Sequence, residues 1–253
     1  MRFRCNVCGA PSEAATFGRE QVSCGTCGST VRFRGVVAAL STTLFGRPLT
    51  LEEFPNAEIT GIGMSDWSGY ADRLAERLGY RNTFYDREPR LDIMEPLAPG
   101  LAGSCDFVVS SEVLEHVPPP VERAFANCFA LLKPGGVLVL TVPWHTDGTT
   151  VEHYPDLHEW TITPLGKSPV LVNRTAGGEI QVFEDLVFHG GEGQTLEMRV
   201  FTRPDLLDLL DSAGFVDIRV FDDTIPEHGV VWSEPWSLPM LARRPAHTHA
   251  NAG

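Results

Sequence analysis

Apolar residues along this chain gather into runs of two kinds, and the clearest alternation between them lies at residues 104–143. Asp106-Phe107-Val108-Val109-Ser110 is a short apolar run opening on an acid, and 137–142 is a second, rich in β-branched residues. Runs of this kind bounded by turn residues predict buried strands. Between them Val121, Phe125, Cys128, Phe129 and Leu132 recur at helical spacing, Pro118 to Pro120 precede the helix, and Lys133-Pro134-Gly135-Gly136 stops it. Strand, helix and strand in succession predict one βαβ unit, its strands parallel and joined by a right-handed crossover.

The same reading extends both ways. Val36, Val37, Leu40 and Leu44 mark one face of a helix over 31–45, and 48–55 reads as loop. Residues 58–66 predict a strand running into a glycine-containing turn, with a helix at 69–78 and a second strand at 80–85 ending at Asp86. Strand-like runs between 170 and 200, with Ala176-Gly177-Gly178 as a hairpin turn, predict an antiparallel insertion. Thr202 caps a helix through Ala213 that Gly214 ends, and 215–221 and 238–243 predict the last two strands. The whole is an α/β pattern.

The order acid, apolar strand, Leu114-Glu115-His116-Val117, helix, Leu131-Leu132-Lys133-Pro134-Gly135-Gly136, apolar strand resembles strands four and five of the class I S-adenosylmethionine-dependent methyltransferases. That resemblance implies a Rossmann-like seven-stranded sheet over 35–245; the residues after strand five leave the family's common core, so 144–200 reads as a substrate-covering insertion, and 246–253 reads as a disordered tail. The resemblance also implies S-adenosylmethionine as cofactor. Gly61 and Gly63 stand in the glycine-rich turn, although Gly61 replaces the usual acid and Ser65 the next glycine. Asp86, with Glu88 close by, is the acid expected on the ribose hydroxyls, because a carboxylate can accept both hydrogen bonds of a diol. Asp92 and Ile93 fall where the adenine is held, and Ser110, Ser111 and Glu112 where the methionine part lies. His116 is read as orienting its loop.

Cysteines add a second element. Cys5-x-x-Cys8 and Cys24-x-x-Cys27 are separated by 15 residues, and each pair is followed by glycine. Two such knuckles can aim four thiolates at one tetrahedral ion, so residues 1–34 are expected to form a zinc ribbon with a structural zinc. Four thiolates leave no open position, which assigns the metal to structure and not to chemistry. Cys105 and Cys128 lie outside this pattern and read as core thiols.

Composition narrows the partners. The chain of 253 residues carries a net charge of −13, whereas residues 1–34 hold five arginines against two glutamates. Such an acidic remainder argues against a long nucleic acid as acceptor and for a small polar molecule, such as a sugar or other metabolite. No segment has the length and apolarity of a membrane span, and the N-terminal stretch has no secretory core, so the cytoplasm is the expected compartment. Two alternatives remain: an RNA methyltransferase that docks through the ribbon arginines, and a non-catalytic scaffold whose altered glycine turn no longer binds cofactor.

After the fifth predicted strand comes a polar, aromatic, histidine-rich segment. His145, His153 and His158 fall within 14 residues, out of eight histidines in the chain. A hydroxyl acceptor would need a base, and these three are the candidates, with Asp156 beside them. Convergence of His153, Asp156 and His158 on a metal matches no standard spacing.

Overall fold

A computed structural model describes residues 1–165, 168–189 and 195–246. The chain opens with β1 (Arg2–Arg4) and β2 (Pro11–Glu13), paired antiparallel. Helix α1 (Val31–Phe45) follows, with the bounds its pattern predicts. The Thr30 hydroxyl accepts from the Phe33 amide at its start, and Gly46, at φ 75°, ends it by donating to the Thr42 carbonyl.

The central layer comes next. Its elements are β3 (Ala57–Met64), α2 (Ser68–Ala75), β4 (Leu78–Thr83), β5 (Cys105–Ser111), α3 (Glu122–Leu131) and β6 (Leu132–Thr141). The insertion holds β7 (Trp144–His145), β8 (Val151–Glu152), β9 (Glu159–Leu165), β10 (Ser168–Arg174), β11 (Ile180–Phe183), β12 (Phe188–His189), β13 (Thr195–Leu196) and β14 (Arg199–Thr202). The chain then returns through α4 (Arg203–Ser212), β15 (Val216–Val220) and β16 (Met240–Arg243).

Among the described residues the main sheet has six strands in the order β15-β16-β6-β5-β3-β4. β3 to β6 run parallel, and β16 and β15 lie antiparallel at one edge. The expected seventh strand is reduced to a single parallel bridge between Phe84 and Arg90. The chain between Asp86 and Asp92 is too short for a crossover helix, and Pro89 removes a ladder donor in the middle of it. β4 therefore stands at the edge.

β-strand alternation divides the interior into two cores. Phe107, Val109, Val137 and Val139 face α1 and α2, whereas Val108, Leu138 and Leu140 face α3 and α4. Cys105 and Cys128 belong to the second core, as expected of core thiols. Phe3, Cys5, Val7 and Cys24 belong to the first, so the N-terminal module shares its core with the sheet. Arg34 seals that junction from within: fully buried, it donates to the Ser29 carbonyl at 2.8 Å, to Ser23 Oγ at 2.6 Å and to the Gly229 carbonyl at 2.9 Å.

The insertion is antiparallel from β9 to β13 and where β14 meets β8, as its pattern predicts, but β14 pairs with β7 in parallel. β9, β10 and β11 form one sheet and β12 pairs with β13, while β14 lies between β7 and β8. The hairpin from β10 to β11 turns at Gly178, at φ 86°. Residues 247–253, which hold nearly all of the expected disordered tail, lie outside the described residues.

Candidate active site

The C-terminal ends of β3, β4, β5 and β6 share one edge, where open α/β sheets bind ligands. Beyond β3, Ser65 takes φ 55° and donates its amide to the Thr83 carbonyl at 2.7 Å, while the Asp66 amide donates to Asn82 Oδ1 at 2.9 Å. The turn is thus pinned to β4. The buried Asp66 carboxylate accepts the Tyr70 and Tyr80 hydroxyls at 2.5 Å each. Burial pushes its carboxyl up to about 7, and the two phenols only partly oppose that.

Space beside the two turn glycines is filled by protein. A Cβ on Gly63 would lie 1.9 Å from the Tyr80 hydroxyl and 2.1 Å from Asp66 Oδ2, and one on Gly61 would lie 2.1 Å from the Phe107 ring. Close approach is what these glycines permit, but the approaching groups are Tyr80, Asp66 and Phe107.

Asp86 lies beyond β4 with 71% of its side chain exposed and Arg87 at 3.7 Å. Glu88 is exposed beside it. Asp92 is largely covered: Oδ1 accepts the Met94 amide at 2.9 Å, and Oδ2 lies 3.7 Å from Arg90. Ile93 is buried, its carbonyl held by Asn127 at 2.7 Å. Ser110, at the end of β5, has a buried Oγ without a hydrogen-bond partner among the described residues. Next to it Ser111 Oγ accepts from Arg32 at 2.7 Å, and Glu112, at φ 57°, turns its carboxylate to Arg19 at 2.7 Å. Burial alone would raise the Glu112 carboxyl, yet the Arg19 guanidinium holds it below its ordinary range. Arg19 also donates to the Ser237 carbonyl at 2.7 Å, and Arg32 to Glu20 at the same distance.

The four N-terminal cysteines converge. Cys5 Sγ lies 3.7 Å from Cys27 Sγ, Cys8 Sγ lies 3.8 Å from Cys24 Sγ, and all four sulfurs fall within 4.8 Å of one another. A tetrahedron with metal–sulfur arms of about 2.3 Å has edges of about 3.8 Å, so the spacing suits one zinc ion. Hydrogen bonding between Cys5 and Cys27 draws the Cys27 thiol down and drives the Cys5 thiol upward.

A second cluster joins the signature turn to the insertion. Glu115 is fully buried, and neither carboxylate oxygen has a hydrogen-bond partner among the described residues. His116 Nε2 lies 3.6 Å and His189 Nδ1 3.7 Å from Glu115 Oε1. His116 Nδ1 lies 2.9 Å from the Leu196 carbonyl, which holds the ring and fits the orienting role read from sequence. Burial first, and the Glu112 charge second, push the Glu115 carboxyl well above its usual range. The buried Arg199 guanidinium donates to the Leu114 carbonyl at 3.2 Å and the Val117 carbonyl at 2.7 Å, and pairs with Glu152 at 2.6 Å.

The three expected bases part company. His153 Nε2 lies 3.0 Å from Glu197 Oε1, and its backbone amide bonds Met198, whose own amide bonds the Glu115 carbonyl. His145 is exposed at the end of β7, and His158 contributes its amide to Asn173. Among the described residues His153, Asp156 and His158 do not gather their ligand atoms. Sequence reading missed Arg19, Arg32, Asp66, His189 and Glu197. The excess of arginine in residues 1–34 signalled the first two; nothing local signals the others.

A cavity of about 400 Å³ opens beside Trp144, lined by Arg203, Asp222, Trp232, Glu234 and Leu238. It lies off the signature turn.

The family model described as a methyltransferase domain matches residues 58–220. Two curated relatives are ubiquinone biosynthesis O-methyltransferases. That of Psychrobacter cryohalolentis is 41% identical over 87 residues, 34% of this chain and 32% of its own length. That of Xanthomonas campestris pv. campestris is 33% identical over 106 residues, 34% of this chain and 43% of its own. The chain thus spans less than half the length of these relatives. Among solved structures, an S-adenosylmethionine-bound amino pentose methyltransferase from Micromonospora echinaspora matches 86% of this chain and 92% of its own at 17% identity, with a TM-score of 0.46. The 1,6-didemethyltoxoflavin-N1-methyltransferase of Burkholderia thailandensis matches 83% and 78% at 17% identity, with a TM-score of 0.40. With a family model covering well over half of its residues, the chain belongs to the class I S-adenosylmethionine-dependent methyltransferases.

Proposed function

We propose that this chain methylates a hydroxyl of a small polar acceptor such as a sugar or other metabolite, and that a zinc ion on Cys5, Cys8, Cys24 and Cys27 holds its N-terminal module in place. The observation that carries the acceptor reading is the His153–Glu197 pair at 3.0 Å, tied through Met198 to the turn that follows β5. A carboxylate on one ring nitrogen fixes the imidazole and leaves the other nitrogen able to take a proton from a hydroxyl.

The residues present suit the cofactor. The orphaned Ser110 Oγ needs a partner at the end of β5, and Asp86 offers an exposed carboxylate beyond β4. S-adenosylmethionine supplies an electrophilic methyl carbon when bound. Asp86 would hold the ribose hydroxyls, Asp92 and Ile93 the adenine, and Ser65, Ser110 and the backbone at Glu112 the methionine part. His153 would take the acceptor proton, and the insertion would keep water from the reacting atoms.

The ribbon arginines weigh against RNA docking. Arg2 pairs with Glu13, Arg4 with Glu52, Arg19 with Glu112 and Arg32 with Glu20, and Arg34 is buried in backbone contacts. Few are left to neutralise phosphates.

Calorimetric titration of the zinc-loaded protein with S-adenosylhomocysteine tests the cofactor site. Micromolar binding weakened about tenfold by Asp92→Ala or Asp86→Ala, about 1.4 kcal/mol, is expected. Absence of binding by the unaltered chain would sink the enzyme reading and favour a scaffold. With binding in hand, His153→Ala should lower methyl transfer to a hydroxyl acceptor and leave S-adenosylhomocysteine affinity in place.

A further inference from the structure

The unpartnered carboxylate of Glu115 lies between two imidazoles that come from different parts of the chain. Its own turn supplies His116, and β12 of the insertion supplies His189. We propose that Glu115, His116 and His189 form a second metal site, for a borderline divalent cation of the zinc type.

Four observations converge on it. First, both Glu115 oxygens are buried without a hydrogen-bond partner among the described residues, a costly state unless something positive meets them. A proton can satisfy only one of the two. Second, one ligand atom from each residue falls within 4.8 Å of the others, with Glu115 Oε1 at 3.6 Å from His116 Nε2 and 3.7 Å from His189 Nδ1. Those separations are slightly wider than the edges spanned by ligands at about 2.1 Å from one ion, so binding needs only a small contraction.

Third, the His116 ring is oriented from behind. Its Nδ1 donates to the Leu196 carbonyl at 2.9 Å, which leaves the lone pair of Nε2 on the Glu115 side. Backbone support of this kind is how proteins fix a metal-ligating imidazole. Fourth, no lysine or arginine pairs with Glu115 among the described residues, and Arg19 is engaged by Glu112 at 2.7 Å.

The donor set decides the metal class. Two imidazoles and one carboxylate suit zinc and its neighbours better than calcium or magnesium, which prefer all-oxygen shells. Unlike the closed four-thiolate site, three protein ligands leave at least one position for an exogenous oxygen. That the oxygen belongs to the acceptor rests on the hydroxyl reading above; the metal count tests the site whether or not that reading stands.

Cobalt(II) separates the two sites. Thiolate ligands give an intense near-ultraviolet charge-transfer band, and an N₂O set gives only weak visible bands. The unaltered full-length chain, stripped and titrated with Co²⁺, should take up two equivalents, only one carrying the thiolate band. Glu115→Gln and His189→Ala should each keep the thiolate band and weaken the other equivalent about tenfold or more. Cys8→Ser should do the reverse. His189 is 40% exposed, so its truncation leaves the fold intact even where Glu115→Gln perturbs it. Uptake of a single, thiolate-bearing equivalent, or a second equivalent indifferent to His189→Ala, would overturn the proposal. The same count by elemental analysis after zinc loading gives a readout independent of catalysis.

Discussion

The Arg19 guanidinium meets the Glu112 carboxylate at 2.7 Å across 93 residues of sequence, joining the N-terminal module to the turn after the central strand. Only 9% of the Glu112 side chain and 21% of Arg19 are exposed, so this pair is poorly screened. Removing one partner strands the other charge. Arg19→Ala should therefore cost about 3 kcal/mol in urea unfolding, and Arg19→Ala with Glu112→Gln together less than the sum of the two. Because Arg19 holds the Glu112 carboxyl below its ordinary range, the stabilisation exists above the ordinary glutamate pKa and disappears as pH falls through the lowered one. An additive double mutant, or an Arg19→Ala effect that persists in acid, would count against the pair.

Asp66 should give stability the opposite slope. Its folded carboxyl titrates at about 7, above the ordinary aspartate value near 4. The folded state thus binds the extra proton between these values, and its stability contribution is greatest below about pH 4 and falls until about pH 7, by at most about 1.4 kcal/mol per pH unit. Asp66→Asn should flatten that slope. Urea midpoints from pH 4 to 8 for both proteins would reveal it, and parallel curves would refute the assignment.

Gly61→Ala tests whether that glycine serves packing. The added methyl would meet the Phe107 ring at 2.1 Å, and overpacking of this kind costs about 2 kcal/mol. Phe107→Leu should recover part of the loss when combined with it. If Phe107→Leu brings no recovery, Gly61 answers to some other constraint.

Arg199→Ala should loosen the signature turn. It removes donors to the Leu114 and Val117 carbonyls and leaves Glu152 without its partner. A loss of about 3 kcal/mol is expected, together with faster amide exchange at residues 114–117; exchange that stays slow there would contradict the clamp.

Chelation of the zinc proposed on Cys5, Cys8, Cys24 and Cys27 should lower the melting temperature and expose residues 1–34 to protease. It should also weaken S-adenosylhomocysteine binding, because Arg19 and Arg32 reach Glu112 and Ser111 from that module. Affinity unchanged after chelation would separate the module from the sheet edge.

Much of this architecture could be read locally. The bounds of α1 follow from Thr30 and Gly46, residues whose chemistry acts within one helical turn. The β5–α3–β6 unit was legible for the same reason, its apolar period being visible in 40 consecutive residues, and the cysteine spacing prefigured the converging sulfurs. What stayed hidden depends on pairs remote in sequence. Glu115 and His189 lie 74 positions apart, and no periodicity links a signature turn to an insertion strand. The missing strand was half visible in the short span from Asp86 to Asp92, yet the single Phe84–Arg90 bridge needs coordinates to appear. Gly61 and Gly63 were legible as close-approach glycines, but a glycine's pattern does not say which protein groups come close, here Phe107 and Tyr80.

The bond from Arg34 to the Gly229 carbonyl sets a timetable for biosynthesis. Residues 1–34 leave the ribosome well before the sheet is complete, and the acceptor that satisfies Arg34 is made 195 residues later. At a translation rate of about 5–20 residues per second, that is an interval of roughly ten seconds or more. Until then the nascent cysteine module cannot bury its guanidinium against Gly229. A module made before the sheet is thus among the last parts of the fold to be locked.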